Sequence, residues 1–449
     1  MISPDTIAAV ATAPGQGAIS LVRLSGPQAL AIANRVFHSR RKDNRFPPRR
    51  AVLGTIQDLT GAPVDEVLLT NFPGSASFTG EDTVEISCHG GVLVTRMVLQ
   101  TVLAAGARLA APGEFTQRAF LNGRMDLTQA EAVMDLIAAQ TDLALRAARE
   151  QLGGRLGVET QAIRQDLLEV LAHVEAWIDF PEEDIDPDTG EALRTRISTA
   201  QQRCRQLLAT ADQGRILREG ARTVLCGAPN AGKSSLLNVL LGFERAIVSE
   251  TPGTTRDTIE EVINLRGLPL RLVDTAGLRP TEDAVEQEGV ARTRQMLLQA
   301  DLILEIVDAS IPVVARMDIP AGATPHCLLV LNKSDLGLAP AWQREAGFPV
   351  SCRTGDGIAN LCDAIFSLLT AGSGAFVRDL VAINARHQAC LQRTVDFLTE
   401  CLQELDRGAS PEFIAIPLRA AMDAVGEITG RLDTEELLGE IFARFCIGK

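Results

Sequence analysis

A chain of 449 residues with 46% apolar and 22% charged side chains has material for about three globular domains and is not a disordered polymer. A formal charge of −14 and a pI near 5.0 argue against a dominant, non-specific nucleic-acid-binding surface, and apolar runs broken well short of about 18 residues exclude a membrane-spanning helix. Nine scattered cysteines without a Cys-x-x-Cys pair suit neither a disulfide framework nor a zinc site, and the first residues do not start a secretory signal, so a cytoplasmic setting is expected.

In chain order, residues 1–120 predict a mixed α+β domain. Residues 18–24 alternate as a strand and stop at Ser25-Gly26, and residues 27–37 take helical spacing through Leu30, Ile32 and Val36. Strands follow at 67–72 and 83–87, and Gly90-Gly91 precedes an apolar helix over 92–103. The basic run Arg40-Arg41-Lys42, with Arg45, Arg49 and Arg50 around Pro47-Pro48, reads as a solvated loop rather than an RNA patch.

Residues 121–218 predict the first part of a helical domain. Leu136, Leu143, Leu152, Ile163, Leu167, Leu171 and Trp177 recur among good helix formers over 127–178, and a second helix spans 191–218. The acidic stretch from Pro181 to Pro187 between them reads as a loop, since it lacks a calcium-ligand spacing. Strands alternate with helices over 222–369, which predicts a mostly parallel sheet in a domain at 219–372. Residues 373–449 return to helix, with Asp433 as an N-cap and Leu437, Leu438, Ile441, Phe442 and Phe445 as one apolar stripe. The expected fold is therefore α/β plus α, a helical domain interrupted by the α/β module.

That module carries the chemistry. An apolar strand over 222–226 runs into Gly227-Ala228-Pro229-Asn230-Ala231-Gly232-Lys233-Ser234, the spacing of a P-loop, with Ser235 opening the following helix. Glycines permit the tight path that lets backbone N–H groups wrap a phosphate; Lys233 would reach the β- and γ-phosphates and Ser234 would ligate Mg²⁺. The polar loop Thr251-Pro252-Gly253-Thr254-Thr255-Arg256-Asp257, just after Ser249-Glu250, would close over the γ-phosphate, with Thr255 as second Mg²⁺ ligand. A strand over 270–273 ends at Asp274-Thr275-Ala276-Gly277, where Asp274 would hold the Mg²⁺ shell and the Gly277 N–H would sense the γ-phosphate. A buried strand over 327–331 leads to Asn332-Lys333-Ser334-Asp335. A carboxylate there accepts two N–H bonds from guanine, a pairing adenine cannot offer. Ser351, Cys352 and Arg353 would close over the base from the far side. Together these motifs predict a Ras-like P-loop GTPase domain.

Leu278 stands where Ras-like GTPases carry a water-orienting Gln, so other groups must supply the chemistry. Asn230 could help hold a monovalent cation beside the phosphates. Glu286 could polarise the water, or could be one solvated acid among Glu282, Asp283 and Glu288.

Outside the module, other motifs recur. They are Asp5-Thr6-Ile7-Ala8-Ala9, Gly15-Gln16-Gly17 and Val22-Arg23-Leu24-Ser25-Gly26; Phe78-Thr79-Gly80-Glu81-Asp82-Thr83-Val84-Glu85 with His89-Gly90-Gly91; Pro112-Gly113-Glu114-Phe115 with Arg118-Ala119-Phe120-Leu121-Asn122; and the tail Phe445-Cys446-Ile447-Gly448-Lys449. With these the chain resembles, over nearly its full length, the MnmE (TrmE) family of tRNA-modification GTPases. The resemblance implies an N-terminal domain that binds 5-formyl- or 5,10-methylene-tetrahydrofolate and builds a homodimer. It implies a potassium-dependent GTPase and an FAD-dependent partner, MnmG (GidA), in a heterotetramer. Together they would install a carboxymethylaminomethyl or aminomethyl group at C5 of the tRNA wobble uridine. By motif, Asn230, Ser249, Thr251 and Thr254 would bind K⁺ and Glu286 would be the catalytic acid. Arg23, Glu85, Arg124 and Lys449 would contact the folate; Arg124 stands where relatives often have Lys, and Ser249 where some have Thr. The matching tail gives Cys446 a role in the modification chemistry, whereas a lone terminal Cys is otherwise an inert thiol. A GTP-driven switch for ribosome assembly is permitted by the module's motifs alone; an ATP-using enzyme conflicts with Asp335.

Overall fold

The structure, a computed structural model, describes residues 5–40, 46–179, 191–243, 260–274, 295–312, 326–370, 381–431 and 435–448. It divides into two compact units, residues 1–134 with 425–449, and residues 135–424.

In the first unit, β1 (Ile7–Val10), β2 (Ile19–Ser25), β3 (Phe37–Ser39), β4 (Val52–Gln57), β5 (Pro63–Phe72), β6 (Thr83–His89) and β7 (Arg108–Leu109) form one sheet in the order β3-β4-β5-β6-β2-β1-β7. Neighbours are antiparallel except β1 and β7. Strand period decides the faces. Ala8, Val22, Leu24, Leu69, Val84 and Ile86 point to one side, under α1 (Ala29–Val36) and α2 (Val92–Ala104). Ile7 and Ala9 point to the other, against Phe115 of α3 (Glu114–Leu121). The expected strands at 18–24, 67–72 and 83–87 and both helices are present with shifted ends, while β1, β3, β4 and β7 are further elements.

The stripe near the C-terminus behaves as its spacing predicts. Leu438, Phe442 and Phe445 pack with Leu127 and Ala130 of α4 (Leu127–Ala138). Gly113 takes φ 66, and a Cβ there would sit 2.7 Å from the Phe442 carbonyl oxygen, so only glycine lets the chain pass.

In the second unit the helical run expected over 127–178 is broken: α4 is followed by α5 (Asp142–Leu152) and α6 (Arg155–Asp179). The Thr141 hydroxyl accepts the Ala144 N–H at 3.2 Å and starts α5. Gly154, at φ 83, ends its last turn. The helix expected over 191–218 likewise divides into α7 (Glu191–Leu208) and α8 (Ala211–Glu219), because Thr210 turns its hydroxyl to the carbonyls of Leu207 and Val381, both at 2.7 Å.

From α8 the chain enters β8 (Ala221–Cys226), then α9 (Lys233–Phe243), β9 (Glu260–Leu265), β10 (Leu268–Asp274), β11 (Leu302–Asp308), β12 (His326–Asn332), β13 (Phe348–Pro349) and α10 (Ile358–Leu369). The sheet order is β13-β12-β11-β8-β10-β9, parallel except for the β9–β10 hairpin. One expectation needs correcting. Cys327 is exposed and not buried: among the described residues β13 pairs with Val330 and Leu331, beyond the start of β12.

Beyond the sheet, α11 (Ala385–Asp406) begins with a capping box between Asn384 and His387 and packs along α7, where Gln201 Nε2 donates to Thr399 Oγ1 at 2.8 Å. Next come α12 (Pro411–Glu427) and α13 (Glu435–Ala443). The N-cap expected at Asp433 and the acidic loop at 181–187 lie outside the described residues. No helix of the described residues is long and apolar enough to cross a membrane.

Candidate nucleotide-binding site

Brought side by side in the parallel sheet, β8 and β12 deliver their C-terminal loops to one edge, with β11 between them. The loop after β8 is held by backbone contacts that exclude side chains. Gly227 leaves the strand at φ 146, and a Cβ there would lie 2.0 Å from the Ile306 carbonyl oxygen. Gly232 has φ 101, and its Cβ would lie 2.0 Å from Asn332 Nδ2. Asn230 takes the left-handed conformation at φ 62, which asparagine tolerates better than most residues. Ala231 is buried, Ser234 and Ser235 are exposed at the start of α9, and Lys233 Nζ donates to the carbonyls of Gly227 at 2.8 Å and Ala228 at 3.0 Å. An N-terminus of a helix following such a loop favours an anion.

Asn332 ties this loop to the rest of the site. Only 2% exposed, it donates from Nδ2 to the Ala231 carbonyl at 2.8 Å and accepts the Cys352 N–H on Oδ1 at 3.3 Å. A single side chain thus spans the P-loop and the 351–353 loop. Lys333, at φ 63, pairs with Asp308 at the end of β11. Burial alone would raise the Asp308 carboxyl, but the Lys333 and Ser310 hydrogen bonds overcome it and hold it below the ordinary range. Asp308 carried no recognisable signal; only the β11–β12 register, which sets it opposite Asn332, brings it into the site.

Asp335 accepts the Ser351 hydroxyl on Oδ1 at 2.7 Å and pairs through Oδ2 with Arg353 at 2.7 Å. The Ser351 hydrogen bond, with the nearby Arg353 charge, lowers its pKa from the ordinary value, so the group is an acceptor only. Ser334 lies between these groups with its N–H on the Val350 carbonyl at 3.1 Å. Cys352 is half-buried, and burial pushes its thiol up. The expected site residues Ser249, Glu250, Thr251, Pro252, Gly253, Thr254, Thr255, Thr275, Ala276, Gly277 and Glu286 lie outside the described residues, as does the side chain of Asp274, which closes β10.

A second cluster occupies the first unit. Arg23 stands between Ala9 and Glu85 in the strand registers. It donates from Nε to Glu85 Oε1 at 2.9 Å, and its guanidinium carbon is 5.8 Å from the centre of the Phe115 ring. The stem of Arg124 flanks Gly80 instead, where a Cβ would lie 3.3 Å from Arg124 Cγ. The tail is tied to the segment before α3 and to the end of β1. The Cys446 carbonyl accepts the Gly113 N–H at 3.4 Å, and a Cβ on Gly448 would lie 2.2 Å from the Val10 carbonyl oxygen. Cys446 is exposed, and Lys449 lies outside the described residues. No group of three or more His, Cys, Asp or Glu side chains that could hold a metal occurs among the described residues.

Comparison with known proteins adds the following. A family model described as the MnmE helical domain matches residues 127–446, and one described as the N-terminus of GTP-binding protein TrmE matches residues 6–124. A curated protein of Akkermansia muciniphila named tRNA modification GTPase MnmE is 52% identical over 451 residues, covering 100% of each chain. A protein of the same name from Geobacter sulfurreducens is 49% identical over 457 residues with the same coverage. Among solved structures, the G domain of the T. maritima iron transporter FeoB is 22% identical, covering 33% of this chain and 98% of that one, at a TM-score of 0.24.

Proposed function

The chain belongs to the MnmE family of tRNA modification GTPases, and from that premise we propose that it hydrolyses GTP in a potassium-dependent reaction serving modification of the tRNA wobble uridine. One observation supports the nucleotide reading: Asn332 bonds at once to the P-loop and to the loop whose Ser351 bonds Asp335, which ties the segments proposed for phosphate and for base through one side chain.

Lys233 would neutralise the β- and γ-phosphates, and Asp335 would accept the guanine N–H pair. Ser234 and Thr255 would hold Mg²⁺, and Asn230 with Ser249, Thr251 and Thr254 would hold K⁺. These donors are all neutral oxygens, a chemistry that suits hard cations. The exposed Ser234 at the head of α9 and the left-handed Asn230 in the loop fit that assignment. A bound potassium ion supplies the positive charge that an arginine finger gives elsewhere. Since Leu278 cannot orient water, Glu286 takes that role.

For the modification itself, Arg23, Glu85, Arg124 and Lys449 would hold a 5-formyl- or 5,10-methylene-tetrahydrofolate, with Cys446 beside them. The Arg23–Glu85 pair beside the Phe115 ring and the tail's passage from Gly113 to Val10 support this reading. The protein would act in the cytoplasm as a homodimer with an FAD-dependent partner of the MnmG type and add a carboxymethylaminomethyl or aminomethyl group at C5.

The test is GTP turnover in K⁺ and in Na⁺. Fast hydrolysis in K⁺, slow hydrolysis in Na⁺ and loss of the difference in Asn230→Ala are expected. Equal rates in the two salts would remove the potassium mechanism while leaving the GTPase assignment in place.

A further inference from the structure

Asp335 has more donors than reading a base requires, and the identity of the extra one is informative. A carboxylate offers about four lone-pair sites, two on each oxygen. Ser351 takes one on Oδ1 at 2.7 Å, and Arg353 takes one on Oδ2 at 2.7 Å through a single terminal nitrogen. The two oxygens are thus engaged by different side chains, and the lone pairs left on the carboxylate would serve the N1–H and N2–H edge of guanine.

The two donors differ in how they are held. Ser351 is buried, and its loop is fixed by the Gly355 N–H on the Ser351 carbonyl at 2.8 Å and the Ser351 N–H on the Asp356 carbonyl at 2.9 Å. The Arg353 side chain is 74% exposed, while that of Asp335 is 13% exposed. Its charge is thus delivered to the carboxylate from the solvent side. Ser351 can fix the direction of the carboxylate but, as a neutral hydroxyl, contributes no charge.

We propose that Arg353 is a positioning residue for base recognition: it holds Oδ2 of Asp335 in place, as Ser351 holds Oδ1, and leaves the remaining lone pairs of the carboxylate for guanine without itself contacting the base. The proposal rests on Asp335 as the guanine reader and adds a second, charged support to the neutral one from Ser351. The lowered pKa of Asp335, owed first to Ser351 and then in part to the Arg353 charge, agrees with it.

The test measures a fluorescent GDP analogue bound to the full chain, and the KM and kcat of GTP hydrolysis. Exposed ion pairs contribute little, so Arg353→Ala should weaken GDP binding by no more than about fivefold, carried by Kd and KM. Arg353→Lys should recover most of that loss, and Arg353→Gln should not. The gap between wild type and Arg353→Ala should shrink as salt rises from low to high, because an exposed pair is screened. The acid limb of GDP binding should move to higher pH in Arg353→Ala. Unchanged or tighter GDP binding in both neutral variants overturns the proposal, tighter binding meaning that Arg353 competes with the base. Asp335→Asn separates the two layers: it should lose guanosine nucleotides and gain xanthosine nucleotides, whose C2 oxygen accepts from the new amide. If Asp335→Asn binds GDP as the wild type does, the guanine reading itself fails. If it switches while the Arg353 variants do nothing, only the positioning role falls.

Discussion

At position 232 the backbone leaves no space for a methyl group, since a Cβ would stand 2.0 Å from Asn332 Nδ2. Gly232→Ala should therefore displace Asn332 and break its bond to Ala231, a buried polar loss of about 1–3 kcal/mol before any backbone strain. The expected outcome is GDP binding weaker by about fivefold or more, read with a fluorescent analogue. Asn332→Ala should weaken GDP in the same way, and a normal affinity in both would refute the strut. Glu286→Ala should remove GTP turnover and keep nucleotide binding; near-normal turnover would take Glu286 off the catalytic list. At this scale the sequence offered the P-loop and Asn332–Asp335 motifs because their spacing is chemically constrained. It did not name Asp308, an acid at the end of an apolar strand whose partner Lys333 lies 25 residues on.

Helix α3 is fastened to its surroundings by ions, and this was not legible beforehand. Arg118, with only 4% of its side chain exposed, donates to Asp5, Glu81 and Glu114, and Arg108 bonds Asp5 and Glu114 from the other side. The Arg108 hydrogen bond, helped by Arg118, lowers the Asp5 carboxyl to about 2. For Glu114, burial pushes upward, but the Arg108 bond and its companions prevail and lower the pKa. Both carboxyls are thus lower in the folded chain than in the unfolded one. The Asp5 contribution is fully present above its ordinary value of 3.8 and is lost as pH falls toward about 2; that of Glu114 is fully present above its ordinary 4.5 and is lost as pH falls through its lowered folded value. Thermal midpoints measured over a pH series should drop through that window. Arg118→Met should lower the midpoint at neutral pH by the equivalent of about 3–5 kcal/mol and flatten the acid slope. A slope unchanged in the variant would mean that other groups set it. At the element scale, periodicity gave helix and strand type well, but not the breaks at Thr141, Gly154 and Thr210. Those depend on hydroxyl caps and a left-handed glycine, which add no apolar signal.

For the whole molecule the proposed function is checked by a nucleoside census of tRNA from cells lacking the protein. Loss of the aminomethyl-type wobble uridines, restored by the wild-type gene and not by Cys446→Ser, is the expected result. An unchanged census would leave a GTPase without RNA-modifying chemistry, the assembly-switch alternative. The sequence by itself determined the class of fold, the P-loop and base-reading motifs and the family, because phosphate wrapping and guanine pairing fix residue type and spacing locally. Only the tertiary structure decided which distant residues meet. The β11–β12 register joined Asp308 to Lys333, Asn332 bridged two loops, and the tail reached β1 through Gly448. Such contacts join residues far apart in the chain, and they are set by strand pairing and close backbone approach, neither of which leaves a periodic trace in the sequence.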